Sequence, residues 1–131
     1  MSGKVPASIQ RKRGEYQPRT VIDHRVRTVL QAIDADLALD LHALARVVNL
    51  SSSRLSHLFK SSMGMSLQSY LANQRLQQAA ALLESTQVPV KEVSYRVGYR
   101  HAPSFARAFK NAFGSSPNDY RSRQRLLLSD S

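Results

Sequence analysis

Residues 41–64 read LHALARVVNLSSSRLSHLFKSSMG, and residues 90–114 read VKEVSYRVGYRHAPSFARAFKNAFG. Both segments show a short apolar helix pattern, a turn, and a second helix pattern that ends at a glycine. Asn49 and Gly98 stand at the turns, where a left-handed backbone conformation is needed. The alignment slips by a single residue, and the slip falls inside the turn, where an insertion is tolerated best. The repeat predicts two helix-turn-helix units in one chain.

The remaining segments predict further helices around this repeat. Apolar residues recur at three- and four-residue steps from Val21 to about Asp36. Residues 66–85 predict a longer helix capped by Ser66, with a length of about 30 Å. A last helix begins near Pro117. The predicted fold is therefore all-α, with about seven helices in two homologous helix-turn-helix subdomains joined by a long linker helix.

Four segments follow from this pattern. They are a flexible basic N-terminal arm (1–20), a first helix-turn-helix subdomain (21–65), a linker helix (66–86) and a second helix-turn-helix subdomain (87–128). The arm fits either a solvated tail or a source of extra phosphate contacts. Only about 20 residues precede the first subdomain, so the chain is expected to be either complete, which the initial Met favours, or a fragment of a larger protein.

Charge and composition narrow the class of partner. The chain has 131 residues, a net charge of +10 and no cysteine. Such a positive surplus favours DNA or RNA over a membrane as the partner. The four histidines are scattered, and no catalytic spacing occurs, so we expect no metal, no cofactor and no enzyme activity. A cytoplasmic location, with nucleoid association in the DNA-bound form, is expected.

The second helix of each unit is expected to enter the major groove, where every base pair presents a distinct pattern. Removing the inward apolar positions leaves the predicted base contacts Ser52, Ser53, Ser56, His57, His101, Ser104 and Arg107. Arg107 is favoured because bidentate arginine to guanine is the commonest specific pairing, with a phosphate contact or a salt bridge as the alternative. Predicted phosphate contacts are Ser51, Arg54, Lys60, Arg96, Arg100 and Lys110. For each cation the alternative is a solvated surface charge.

Two segments carry a family resemblance, VSYRVGYRHAPSFARAFKNAFGSSPNDYR (93–121) and LSHLFKSSMGMSLQSYLANQRLQQAAALL (55–83). They resemble the DNA-binding region of AraC/XylS-type transcription regulators from about residue 24 to residue 123. The resemblance implies a base-contacting arginine at Arg107. The chain departs from the family pattern at Ser94, where alanine is usual. It also departs at residues 101–103, His-Ala-Pro, where polar residues that reach bases are common.

The leading hypothesis is a sequence-specific regulator of double-stranded promoter DNA, an activator that contacts RNA polymerase. As a monomer it would read an asymmetric site through two successive major-groove segments, because its two reading helices differ in sequence. The alternatives are a nonspecific architectural nucleic-acid binder and the DNA-binding fragment of a larger ligand-responsive regulator. An enzyme that uses this domain for targeting is disfavoured, since the chain leaves no room for the chemistry.

Overall fold

The computed structural model describes residues 22–129, with side chains through Leu127, and within this range the regular secondary structure is entirely helical. They are α1 (His24–Ala35), α2 (Leu41–Val47), α3 (Ser52–Met63), α4 (Leu67–Ser85), α5 (Val90–Arg96), α6 (Ala102–Phe113) and α7 (Pro117–Ser129). The prediction of an all-α fold with about seven helices is confirmed for this range. The predicted N-terminal arm, residues 1–20, lies outside the described residues.

Short polar side chains begin most of these helices. Asp23 accepts the backbone N–H of Arg25 at 2.8 Å, and Asp40 accepts that of Ala43 at 2.9 Å. Ser66 and Ser116 accept the backbone N–H groups of residues 69 and 119, each at 3.1 Å. Each contact satisfies a backbone donor that the first helical turn leaves without an intrahelical acceptor. The predicted cap at Ser66 is confirmed.

The chain divides into two compact units, and the boundary falls between Leu71 and Ala72, inside α4. The helix supplies Leu67 and Leu71 to the first core, and its later residues supply the second. The first core is built from Val26, Val29, Ile33, Leu44, Ala45, Leu55, Phe59, Met63, Leu67 and Leu71. The second is built from Leu76, Ala79, Ala80, Leu83, Val93, Val97, Phe105 and Phe109. The predicted division into four segments stays a prediction.

Aromatic rings fill corresponding places in the two units. In the first, the rings of Phe59 and Tyr70 lie 5.6 Å apart. In the second, Phe109 lies 5.3 Å from Tyr120 and 4.4 Å from Phe113. Both tyrosines therefore pack on a phenylalanine of the preceding helix, and tilted or edge-on pairs of this kind stabilise a core beyond their buried area.

Polar contacts hold α7 against α4 in the second unit. The hydroxyl of Tyr120 donates to the carboxylate of Glu84, and Nε of Arg121 donates to the Leu83 carbonyl at 3.1 Å. Burial, followed by the hydrogen bond to Glu84, raises the pKa of Tyr120 to about 12. Among the described residues, no helix combines the length and apolarity that crossing a membrane requires.

Ser94, where the chain departs from the family pattern, is fully buried in α5. Its hydroxyl donates to the Lys91 carbonyl at 2.7 Å, one turn back in the same helix. A buried hydroxyl is costly only when it lacks a partner. The side chain therefore satisfies itself locally and keeps the small volume that a close crossing of helices needs.

Candidate nucleic-acid interface

The turn between the two helices of each unit has the same backbone geometry. Asn49 has φ +59° and Gly98 has φ +106°, so both occupy the left-handed region. The N–H of Leu50 donates to the Ala45 carbonyl and that of Tyr99 to the Ser94 carbonyl, both at 2.9 Å. The repeat predicted from the sequence is thus repeated in the hydrogen bonds that set the direction of α3 and α6.

The start of α3 is capped by Ser51, whose hydroxyl accepts the backbone N–H of Arg54 at 3.1 Å. Ser52, the first residue of the helix, is half-buried, and its Oγ lies 2.9 Å from Nδ1 of His42. Since His42 lies in α2, the first helix of the unit directs a side chain of the second. Sequence reasoning missed His42, because the two residues are ten positions apart and no spacing rule brings them together.

The outer face of α3 carries the remaining predicted contacts of the first unit. Ser53, Arg54, His57 and Lys60 are exposed, and Ser56 is half-buried. An open groove of about 250 Å³ runs from this face to the start of α4, lined by Ser56, His57, Lys60, Ser66, Leu67 and Gln68. Its polar lining includes Gln68, which the sequence did not single out, because the first turn of α4 was interpreted only as a cap.

The start of α6 is built differently. His101 occupies the cap position but makes no side-chain cap hydrogen bond, and Pro103 stands in the first turn. Proline suits this place because its missing N–H would have no intrahelical acceptor. Nδ1 of His101 instead lies 2.9 Å from Oγ of Ser104. His101 is exposed and Ser104 is half-buried, and Arg107 is exposed one turn further along the helix.

The predicted phosphate contacts differ in the hydrogen bonds that their side chains already make. Arg54, Lys60, Arg100 and Lys110 are exposed. Arg96 donates to Glu92 at 2.7 Å within α5. An exposed pair of this kind is worth only about 0.3–0.5 kcal/mol, so a phosphate could displace Glu92. Ser51 already uses its hydroxyl as the cap of α3.

Acidic residues are absent from two long stretches of the sequence, which the net charge alone does not show. No aspartate or glutamate occurs from Leu41 to Leu83, or from Val93 to Asn118. Each stretch carries four cations, which are Arg46, Arg54, Lys60 and Arg75 in the first and Arg96, Arg100, Arg107 and Lys110 in the second. Both helix-turn-helix segments therefore offer positive charge to a polyanion with little acidic charge to repel it. Within residues 22–129 no cluster of His, Asp or Glu suits a metal ion.

Comparison with known proteins gives a family. A family model described as a helix-turn-helix domain matches residues 44–123. The chain is 41% identical over 103 residues to the arabinose operon regulatory protein of Escherichia coli K12, covering 76% of this chain and 35% of that protein. The chain thus spans about a third of the length of that curated relative.

Comparison with solved structures supports the same family. The C-terminal domain of AraT, a response regulator from Geobacillus stearothermophilus, is 37% identical with a TM-score of 0.72, over 78% of this chain and 87% of that one. The DNA-binding domain of AdpA, solved in complex with a target DNA, is 28% identical with a TM-score of 0.74, over 83% of this chain and 100% of that one. The chain belongs to the AraC/XylS family of helix-turn-helix DNA-binding transcription regulators.

Proposed function

We propose that this chain binds double-stranded promoter DNA in a sequence-specific manner, as a monomer, with α3 and α6 in two successive major-groove segments. The observation that carries the proposal is the repeated turn, which gives each unit a second helix with an exposed polar face. Ser53 and His57 are exposed on α3, and Arg107 is exposed on α6. Helices presented in this way read base edges in the major groove.

The charge pattern supports DNA as the partner. The exposed cations of the proposed interface lie in stretches of sequence that contain no acidic residue. Neutralising phosphates releases condensed counterions, so about six contacts would give a slope of log affinity against log salt near −5. The structure of AdpA with a target DNA supports the same partner, because that domain shares the fold over most of this chain.

The two reading faces have different chemistry, which supports an asymmetric site. The face of α3 offers serines and a histidine, whereas that of α6 offers Arg107. A bidentate arginine favours guanine. We therefore expect a defined guanine in the half-site read by α6. The phosphate contacts in this proposal are Ser51, Arg54, Lys60, Arg96, Arg100 and Lys110, and the base contacts are Ser52, Ser53, Ser56, His57, His101, Ser104 and Arg107.

We further propose that the bound protein activates transcription by contacting RNA polymerase, the outcome that the family resemblance favours over repression. Transcription in vitro from a promoter that carries the selected site tests this step separately from binding. A rise in transcript with added protein supports activation. A fall in transcript with the same site occupied would contradict it.

Selection from a random double-stranded DNA library, with bulk RNA as competitor, tests DNA recognition. We expect an enriched asymmetric sequence and a footprint with two protected segments about 10 base pairs apart. Arg107→Ala should lose discrimination at one position of this sequence, whereas the control Arg100→Ala should weaken all sequences alike. Equal affinity for every sequence, or full competition by RNA, would overturn the proposal.

A further inference from the structure

We propose that His42 and His101 are positioning residues, which orient the hydroxyls of Ser52 and Ser104 so that each serine accepts a hydrogen bond from a base amino group. This inference rests on the proposed DNA-binding function. It assigns a role to His42, which lies in α2 and therefore outside α3, the helix of the first unit that is proposed to enter the groove (the reading helix). It also changes the role of His101, from a base contact in its own right to a group that sets the contact made by its neighbour.

The first pair joins two helices of one unit. His42 lies in the first turn of α2, and Ser52 is the first residue of α3. Their side chains meet at 2.9 Å between Nδ1 and Oγ, a normal hydrogen-bond distance. A free serine hydroxyl rotates and can either donate or accept. If it donates to the imidazole, the Ser52 hydroxyl can only accept a hydrogen bond from a partner in the groove.

The second pair lies within one helix and joins its cap residue to its third residue. Nδ1 of His101, at the cap position of α6, lies 2.9 Å from Oγ of Ser104. The imidazole makes no cap hydrogen bond of its own. The two pairs do not correspond in the repeat. His42 comes from α2 and His101 precedes α6, while Ser52 is the first residue of α3 and Ser104 is the third residue of α6. Both units nevertheless place an imidazole Nδ1 at 2.9 Å from a half-buried serine in the first turn of the reading helix.

In the first unit, the DNA itself sets the direction of the hydrogen bond between histidine and serine. The first helix of a helix-turn-helix crosses the phosphate backbone, and phosphate oxygens can only accept. His42 lies in this first helix, so a ring that faces a phosphate donates from Nε2 and, when neutral, accepts at Nδ1 from the Ser52 hydroxyl. We infer the same direction for the bond between Ser104 and His101, which lies at the start of α6. The serine then presents only lone pairs to the groove. In the major groove the amino groups of adenine and cytosine are the matching donors.

The expected effect is a preference for adenine or cytosine at the position that each serine faces. One hydrogen bond of ordinary strength corresponds to about a fivefold preference. His42→Phe keeps a planar ring but removes Nδ1, so the preference at one position should disappear while the rest of the selected sequence is kept. His42→Asn should restore it, because an amide oxygen can occupy the place of Nδ1.

The experiment compares selected sequences for the unaltered protein, H42F, H42N, S52A and the double variant H42F/S52A. His24→Phe is the matched control, because His24 is also exposed but lies in α1. For the second unit, H101F and S104A suffice, since an asparagine at the cap position would itself cap α6. Thermal unfolding of every variant shows whether an effect on stability is involved.

The inference is supported if H42F, S52A and the double variant all lose the same single preference and H42N keeps it. It is overturned if H42F retains the preference, if it weakens every position equally, or if guanine or thymine is selected there. The proposed function fails separately, when the unaltered protein enriches no sequence at all. A selected site that H42F and H101F leave unchanged would remove only the role of the two histidines.

Discussion

Phe109 provides the sharpest test of how the second unit is held together. Its ring is fully buried and lies 4.4 Å from Phe113, 5.3 Å from Tyr120 and 5.8 Å from Phe105. Truncating a buried phenylalanine to alanine costs about 3–5 kcal/mol, since apolar contacts are lost and a cavity remains. The neighbouring rings place Phe109→Ala toward the upper end of this range, because each aromatic pair adds about 0.5–1.5 kcal/mol.

That cost is large for a unit of this size. The second unit begins at Ala72 and contains roughly 60 residues, for which a total stability of about 3–9 kcal/mol is expected. Phe109→Ala should therefore remove from about half to all of it. We expect the amide protons of α5 and α6 to lose most of their protection from hydrogen exchange, while those of α1–α3 keep much more of theirs.

Hydrogen exchange followed by NMR measures this effect residue by residue, and the internal repeat supplies the control. Phe59 is equally buried at the corresponding place in the first unit, so Phe59→Ala should give the mirror result. Phe113→Ala, at a half-buried ring, should cost less than Phe109→Ala. A cost below about 1 kcal/mol for Phe109→Ala would refute the packing argument. An equal loss of protection in both units would refute the assignment of separate cores.

Further predictions concern DNA binding, one glycine and one tyrosine. Arg107→Ala should cost about 1–3 kcal/mol on the selected site, and an equal loss on random DNA would show a phosphate contact instead. Arg100→Ala should make the salt slope of binding shallower by about 1, which anisotropy titrations at several salt concentrations measure. Gly114→Ala should cost about 1–2 kcal/mol in chemical denaturation, through its φ of +82° alone, because an added Cβ meets nothing within 4 Å. The raised pKa of Tyr120, about 12, means that its contribution to stability is complete below its ordinary pKa and is lost as pH rises through 12. Glu84→Gln should lower that pKa, as followed by phenolate absorbance, and no change would exclude a contribution from the negative charge of Glu84.

The turns and caps were predictable because they depend on local chemistry. A residue that adopts positive φ, followed by a short polar residue that can cap the next helix, indicates a turn before a helix, and Asn49 and Ser51 meet these requirements. The slip of one residue between the repeats also has a local origin. Four residues separate α2 from α3, and five separate α5 from α6. The second turn therefore carries the insertion that the alignment placed there.

Contacts between distant positions were not predictable from one sequence. The bond between His42 and Ser52 joins two helices, and that between Tyr120 and Glu84 spans 36 positions. Periodicity shows which face of a helix is apolar, but it does not show which polar side chains meet across a turn. The point inside α4 where one core gives way to the next has no local signal either, since a continuous helix looks the same on both sides of it.

The two units have the same backbone geometry, although the exposed surfaces of their second helices differ. Val48 and Val97 end the first helix of each unit with φ, ψ of −106°, 10° and −92°, 6°, and Gly64 and Gly114 end the second with 79°, 1° and 82°, −4°. Buried residues and left-handed turns set this framework.

The first turn of the reading helix is where the units diverge. In α3 a serine hydroxyl caps the helix, and a histidine from α2 binds the next residue. In α6 the backbone N–H of Ser104 bonds to the His101 carbonyl at 3.0 Å, which leaves the imidazole of His101 to bind the serine hydroxyl. The source of the imidazole and the position of the serine thus both differ between the units, since Ser52 is the first residue of α3 and Ser104 is the third residue of α6. The two units thus keep the same backbone framework although their turns differ in length. The exposed side chains differ, with serines and a histidine on α3 and an arginine on α6, and this makes the two reading surfaces unequal.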